Sequence, residues 1–270
     1  VNENQHQHLP NVNHLSVITA MILLAYALTA FIQVPVQSIN WQLPGFLLTL
    51  RFNFISLISI VVAVMAAAGA DWIVKTHPHT STERRFHHWL IPAFTALVIG
   101  IPLNEIQVSP SWWAVFALGG LLLVGVFISE YISVDPLDIR FPIARVSLTA
   151  MSFALLLVLL IAVRGGGLRL YTVLATLLPA IALVSAKTLH LRLGGWSLAW
   201  TVGISIALIQ LATGLFYLPV KPLQFGLILL GLTFALVSLA GNLEEKQAPQ
   251  TIWLEPILSF TAFLSASLFF

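Results

Sequence analysis

The sequence predicts an all-α membrane protein: a polytopic transmembrane helical bundle of about nine spans (eight to nine), with a cytoplasmic N-terminus. Three observations carry this. Apolar residues make up 59% of the chain and charged residues 8%, with mean hydropathy +0.96; soluble globular domains run at about 45–50% and about 25%. Apolar runs of spanning length recur from one end to the other. Lys and Arg fall unevenly on the connections between those runs, which sets an orientation. Residues 1–270 therefore read as a single transmembrane domain, with a short polar tail at 1–13 and a cytoplasmic hairpin segment at 71–88.

A first helix is expected at 14–32. Ala25-Tyr26-Ala27 resembles a signal-cleavage site, but residues 1–14 contain no Lys or Arg, and a signal peptide starts with positive charge. This helix is read as a permanent span. A turn-rich connection at 34–45 leads to a long second helix, 46–74, with small residues at Ala63, Ala67 and Ala70. Thr80 and Glu83 have capping-box spacing, which starts a third helix near Ser81. Its purely apolar part, 89–103, is short for a hydrocarbon core of about 30 Å, and Pro92 kinks it. Helices four to eight are expected at 111–134, 141–163, 170–186, 196–218 and 223–240. A last apolar stretch covers 251–270 and has only a short run after Pro256.

Charge supports the count. With nine spans, one side collects Lys75, Arg84, Arg85, Arg140, Arg145, Lys187, Arg192 and Lys246, and the other has Arg51, Arg164, Arg169 and Lys221. Eight cations against four place the N-terminus inside, in a bacterial-type cytoplasmic membrane. Trp112 and Trp113 opposite Tyr131, and Trp196 and Trp200 opposite Tyr217, mark the two interfaces.

The same composition excludes several functions. A formal charge of +2 without a basic stripe argues against nucleic-acid binding. The absence of cysteine removes disulfides, thiolate metal sites and cysteine nucleophiles. No histidine falls in the middle of an expected span, which argues against a haem held deep in the bilayer. No cofactor is expected. The expected partners are the lipid bilayer and other membrane proteins.

Four groups of residues are candidates for chemistry. His77 and His79, at i and i+2, have ligand chemistry for Zn, Ni or Cu, although solvated loop histidines are the plainer reading. Asp135, Asp138, Arg140 and Arg145 suit Mg²⁺ and a phosphorylated substrate. Comparison with two membrane-enzyme families fails there. CDP-alcohol phosphotransferases need a glycine after the second aspartate, where this chain has Ile139, and no acid follows before Glu244. Aspartate-motif prenyltransferases need a second aspartate-rich loop. An acidic turn ahead of a helix is the plainer reading here too.

Arg51 lies about 10 Å along the expected second helix at 1.5 Å per residue, with Glu105 as its natural partner. Intramembrane charge is costly and marks function by default. Asn53 and Gln210 complete this candidate intramembrane polar set. Finally, Arg84, Arg85, His87 and His88 form a candidate cytoplasmic docking surface. No triad, P-loop or metalloprotease motif appears. A non-catalytic scaffold or accessory subunit of a membrane complex is the leading expectation. The alternatives are a carrier for a neutral or lipid-like small molecule and an enzyme acting on lipid phosphates.

Overall fold

The computed structural model describes residues 10–31, 37–43, 46–52, 54–77, 86–246 and 252–269, with 37–56 described through the backbone alone. Nine helices occur among the described residues: α1 (Val12–Phe31), α2 (Phe54–Lys75), α3 (His87–Glu105), α4 (Pro110–Ile132), α5 (Phe141–Gly165), α6 (Leu170–Leu193), α7 (Leu198–Phe216), α8 (Pro222–Glu244) and α9 (Leu254–Phe269). Strands β1 (Gln37–Leu43) and β2 (Phe46–Phe52) precede α2. Seven helices, α1, α2 and α4 to α8, are long and apolar enough to cross a membrane. Their outward faces carry large apolar side chains, among them Leu57, Val64, Leu118, Leu121, Val202 and Ile206, all exposed. Acyl chains solvate such faces and water does not, so the architecture is that of a polytopic helical membrane protein.

One expected element is corrected. Helix two was expected to begin at Phe46, but residues 46–52 form β2, which pairs antiparallel with β1, and α2 starts at Phe54. The cause lies in the sequence period. Ile39, Trp41 and Leu43 alternate with Ser38, Asn40 and Gln42, and Leu48, Leu50 and Phe52 alternate with Thr49 and Arg51. That period of two belongs to a strand. The register sets Ser38 opposite Arg51 and Asn40 opposite Thr49, polar position against polar position. Arg51 is therefore on a strand, and the depth inferred for it along helix two does not apply.

By contacts the chain divides into two compact units, Val1–Ala144 and Arg145–Phe270. In the first, α1 to α4 enclose a core that includes Ile22, Tyr26, Val62, Ala66, Ile73, Ile99, Trp112, Phe127 and Tyr131. Small residues allow the close approach that membrane helices use in place of a hydrophobic driving force. A Cβ on Gly69 would stand 2.4 Å from Ile18, and one on Gly119 would stand 2.7 Å from Ile99. Two large polar side chains inside this core are bonded. Tyr26 donates its hydroxyl to the carbonyl of Ala96, and Trp112 donates Nε1–H to the carbonyl of Leu103 at 3.0 Å. Trp112 is thus a core residue and not half of an interfacial belt; only Trp113 is exposed.

The second unit is built on α8, which packs against α6, α7 and α9. Gly226 lets α5 close on it through Leu157 and Ile161, and Gly231 lets α9 close on it through Phe263. At one end, Arg164 at the close of α5 donates to the carbonyls of Phe216 and Leu218, each at 3.0 Å, and of Val220 at 3.5 Å. It thereby satisfies carbonyls that the end of α7 leaves without helical partners. Arg164 also lies over the rings of Phe216 and Phe225.

Candidate functional site

At the opposite end of the second unit, charge gathers for a reason that starts with α6. This helix was expected to stop at Ala186, but it runs two turns further to Leu193 and ends on Gly194 in the left-handed region, φ 70°. Thr188-Leu-His-Leu-Arg192 alternates polar and apolar, which disguises the helix, and Gly194-Gly195 supplies the stop that only an unhindered backbone takes easily. The extension carries Lys187 into full burial and delivers Arg192 to the end of α8.

There Arg192 makes a two-pronged bond to Glu245, Nε to Oε1 at 2.7 Å and Nη2 to Oε2 at 2.8 Å. Nη2 also donates to Asn242 Oδ1 at 2.7 Å, and Nη1 to the carbonyl of Ser238 at 3.4 Å. Fork-to-fork pairing fixes direction as well as distance. Gly241 makes room for it, since a Cβ there would stand 2.6–2.7 Å from the arginine side chain. Asn242 passes the network on by donating Nδ2–H to the carbonyl of Ile252 at 3.0 Å, just before α9. Trp200 on α7 donates Nε1–H to Glu244 at 2.7 Å.

Beside this network lies a cavity of about 550 Å³, within the usual range of ligand pockets. Arg145, Val146, Thr149, Ala150 and Phe153 line it from α5, Thr188 and Arg192 from α6, Phe234, Val237 and Ser238 from α8, and Glu245, Glu255 and Phe263 complete it. The charged members all belong to one end of the unit: the start of α5, the end of α6, the end of α8 and the start of α9. Further in, the wall is aromatic, with Phe153 and Phe234 edge to face at 5.2 Å. The hydroxyl oxygens of Thr188 and Ser238 are buried with no hydrogen-bond partner among the described residues. A polar rim over an apolar interior suits an amphiphile, headgroup at the rim.

The first unit holds a different polar cluster. His88, one residue into α3, places Nδ1 2.7 Å from Oε2 of Glu130 in the last turns of α4, and both are buried. Ser133 donates to the carbonyl of Glu130 at 2.8 Å. His77 is buried edge-on to Tyr131, ring centroids 4.8 Å apart.

The sequence candidates distribute as follows. His88, expected on a docking surface, is instead buried, because an acid 42 residues away on α4 gives its ring a partner inside the bundle. His87 contacts the rings of Phe86 and His88. Arg84, Arg85 and His79 lie outside the described residues, as do Thr80, Glu83 and Asn53. Among the described residues no group of three or more His, Asp or Glu has metal-site geometry. Asp135 and Asp138 are buried and turn back on their own backbone, accepting from the N–H of Leu137 at 2.9 Å and of Arg140 at 2.8 Å. They shape the turn that leads into α5. Arg140 is half-buried at its end, and Arg145 lines the cavity of the second unit. Glu105 and Gln210 are exposed. By sequence, Arg192 and Glu245 fall in expected loops, and Glu255, inside the last expected helix, is not singled out as a site residue. Their only signal was position: each stands within a turn of a helix end on the same expected side of the membrane.

A family model described as a protein of unknown function (DUF5656) matches residues 34–270. The chain belongs to this family. No curated protein and no solved structure matches it. The DUF5656 match takes in the cavity, the Arg192–Glu245 network and the His88–Glu130 pair, while α1 lies before its first residue.

Proposed function

We propose that the protein is a non-catalytic multi-pass membrane protein that carries a lipid-like small molecule in the cavity among α5, α6, α8 and α9. One observation supports this reading above the others: a cavity of about 550 Å³ with Arg145, Arg192, Glu245 and Glu255 at its rim and three phenylalanines in its interior. An accessory-subunit role rests on the lack of catalytic motifs in the sequence, and Arg84 and Arg85, expected to serve it, lie outside the described residues. Catalysis on lipid phosphates would use Asp135 and Asp138, which are buried, shape their own turn and do not line the cavity. The orientation that fits is N-terminus inside a bacterial-type cytoplasmic membrane, which puts the charged rim on the cytoplasmic side, supported by the eight-to-four division of Lys and Arg that results when α3 crosses along with the seven longer apolar helices.

The test is isolation in mild detergent followed by native mass spectrometry of the wild type and of Ala150→Trp, which fills the cavity. The wild type retains a small molecule at one copy per chain, and the variant loses it. Equal lipid content in both proteins would count against the cavity as a site. A protein partner that persists through isolation of both would favour the accessory-subunit role.

A further inference from the structure

We propose that the occupant of this cavity is a zwitterionic amphiphile of the aminophospholipid type, its phosphate on Arg145 and its primary ammonium on Glu255. This deepens the lipid-carrier reading and rests on it. The argument is one of charge. Four charged side chains line the rim, and two of them, Arg192 and Glu245, are closed on each other by the two-pronged bond. Arg145 and Glu255 remain. Both line the same cavity, and neither makes a hydrogen bond or ion pair among the described residues, although the exposed Glu255 also lies in the field of Arg192.

A neutral ligand brings neither side chain a charged hydrogen-bond partner. An anionic lipid answers Arg145 and is repelled by Glu255, and a cationic one does the reverse. A zwitterion answers both. A guanidinium takes a phosphate through two parallel N–H donors. Glu255 accepts hydrogen bonds from a primary ammonium, whereas a quaternary choline has none to give and is ordinarily held by aromatic cages. The aromatic residues here are too deep for that. Phe153 lies eight residues beyond Arg145 along α5, and Phe263 eight beyond Glu255 along α9. At 1.5 Å per residue each is roughly 12 Å further in, where acyl chain belongs. Between rim and rings, Thr188 and Ser238 bring two hydroxyls without partners among the described residues. A rotamer change at either one supplies a donor for ester oxygens at the level of the glycerol.

The experiment uses the full-length protein, delipidated in detergent and offered phosphatidylethanolamine, phosphatidylcholine and phosphatidylglycerol of identical chains in equal amounts. Bound lipid is quantified by native mass spectrometry, with Ala150→Trp as the control for lipid held elsewhere. Wild type is expected to prefer the ethanolamine lipid roughly fivefold to tenfold, the scale of a charge-assisted hydrogen bond at a half-open site. Glu255→Gln is expected to level ethanolamine with choline while keeping overall binding. Arg145→Gln is expected to weaken all three about tenfold. Equal binding of the three lipids by wild type, or an ethanolamine preference that survives Glu255→Gln, overturns the headgroup assignment. Absence of any lipid that Ala150→Trp removes overturns the carrier reading instead. Soluble glycerophosphoethanolamine is the last arm: competition as strong as the intact lipid's would show that the chains contribute nothing and overturn the lipid as source.

Discussion

His88 Nδ1 stands 2.7 Å from Glu130 Oε2, and the two side chains are 7% and 1% exposed. The pair ties the first turn of α3 to the last turns of α4. Removing one member strips a buried group of this partner, which costs about 1–3 kcal/mol. His88→Ala and Glu130→Ala should each lower thermal stability in detergent, and the double variant should lose clearly less than the sum. Additive losses would show that the contact carries no coupling.

Gly241 and Gly203 offer a matched contrast on helices of one unit. A Cβ at Gly241 meets Arg192 at 2.6 Å, whereas nothing stands within 4 Å of one at Gly203. Gly241→Ala should displace the arginine from Glu245 and cost roughly 1–3 kcal/mol. Gly203→Ala should be neutral or stabilising by up to about 1 kcal/mol, the helix-propensity gain. Thermal melts of the two purified variants decide this.

Arg164 holds three alternate carbonyls, of Phe216, Leu218 and Val220, from the end of α7 into the turn before α8. In Arg164→Ala, amide hydrogen exchange should quicken across residues 216–221 and leave the α6 end unaffected. Arg164→Lys should fall between, since an ammonium lacks the planar fork that serves several acceptors at once.

Orientation has a direct assay because the chain contains no cysteine. A single cysteine introduced as Val220→Cys should react with a membrane-impermeant maleimide on intact cells. Ser197→Cys should react only after permeabilisation. The opposite pattern would invert the assigned topology.

How much of this was legible beforehand depended on range. Helices α4, α5, α7 and α8 begin and end within a few residues of expectation, because apolar runs, Pro and Gly are local signals. The hairpin ahead of α2 was missed although its signal was local. Phe46 to Phe52 is apolar enough to pass for a helix when only composition is weighed, and its period of two went unused. The end of α6 was missed because cations suggested a loop, while burial of Lys187 is a tertiary effect. His88 finds Glu130 across 42 residues, and the cavity is assembled from four helices. Neither has a sequence motif, since each depends on which helix faces meet.

The close approach of Gly231 and Phe263 has a mechanical consequence. It presses α9 against α8 with no room for a side chain between them, so the two helices resist sliding past one another. A bilayer that tilts α8 to match its thickness therefore carries α9 with it, and Glu255 and Phe263 on the cavity wall move as well. Acyl-chain length becomes a control variable for the shape of the cavity at this edge.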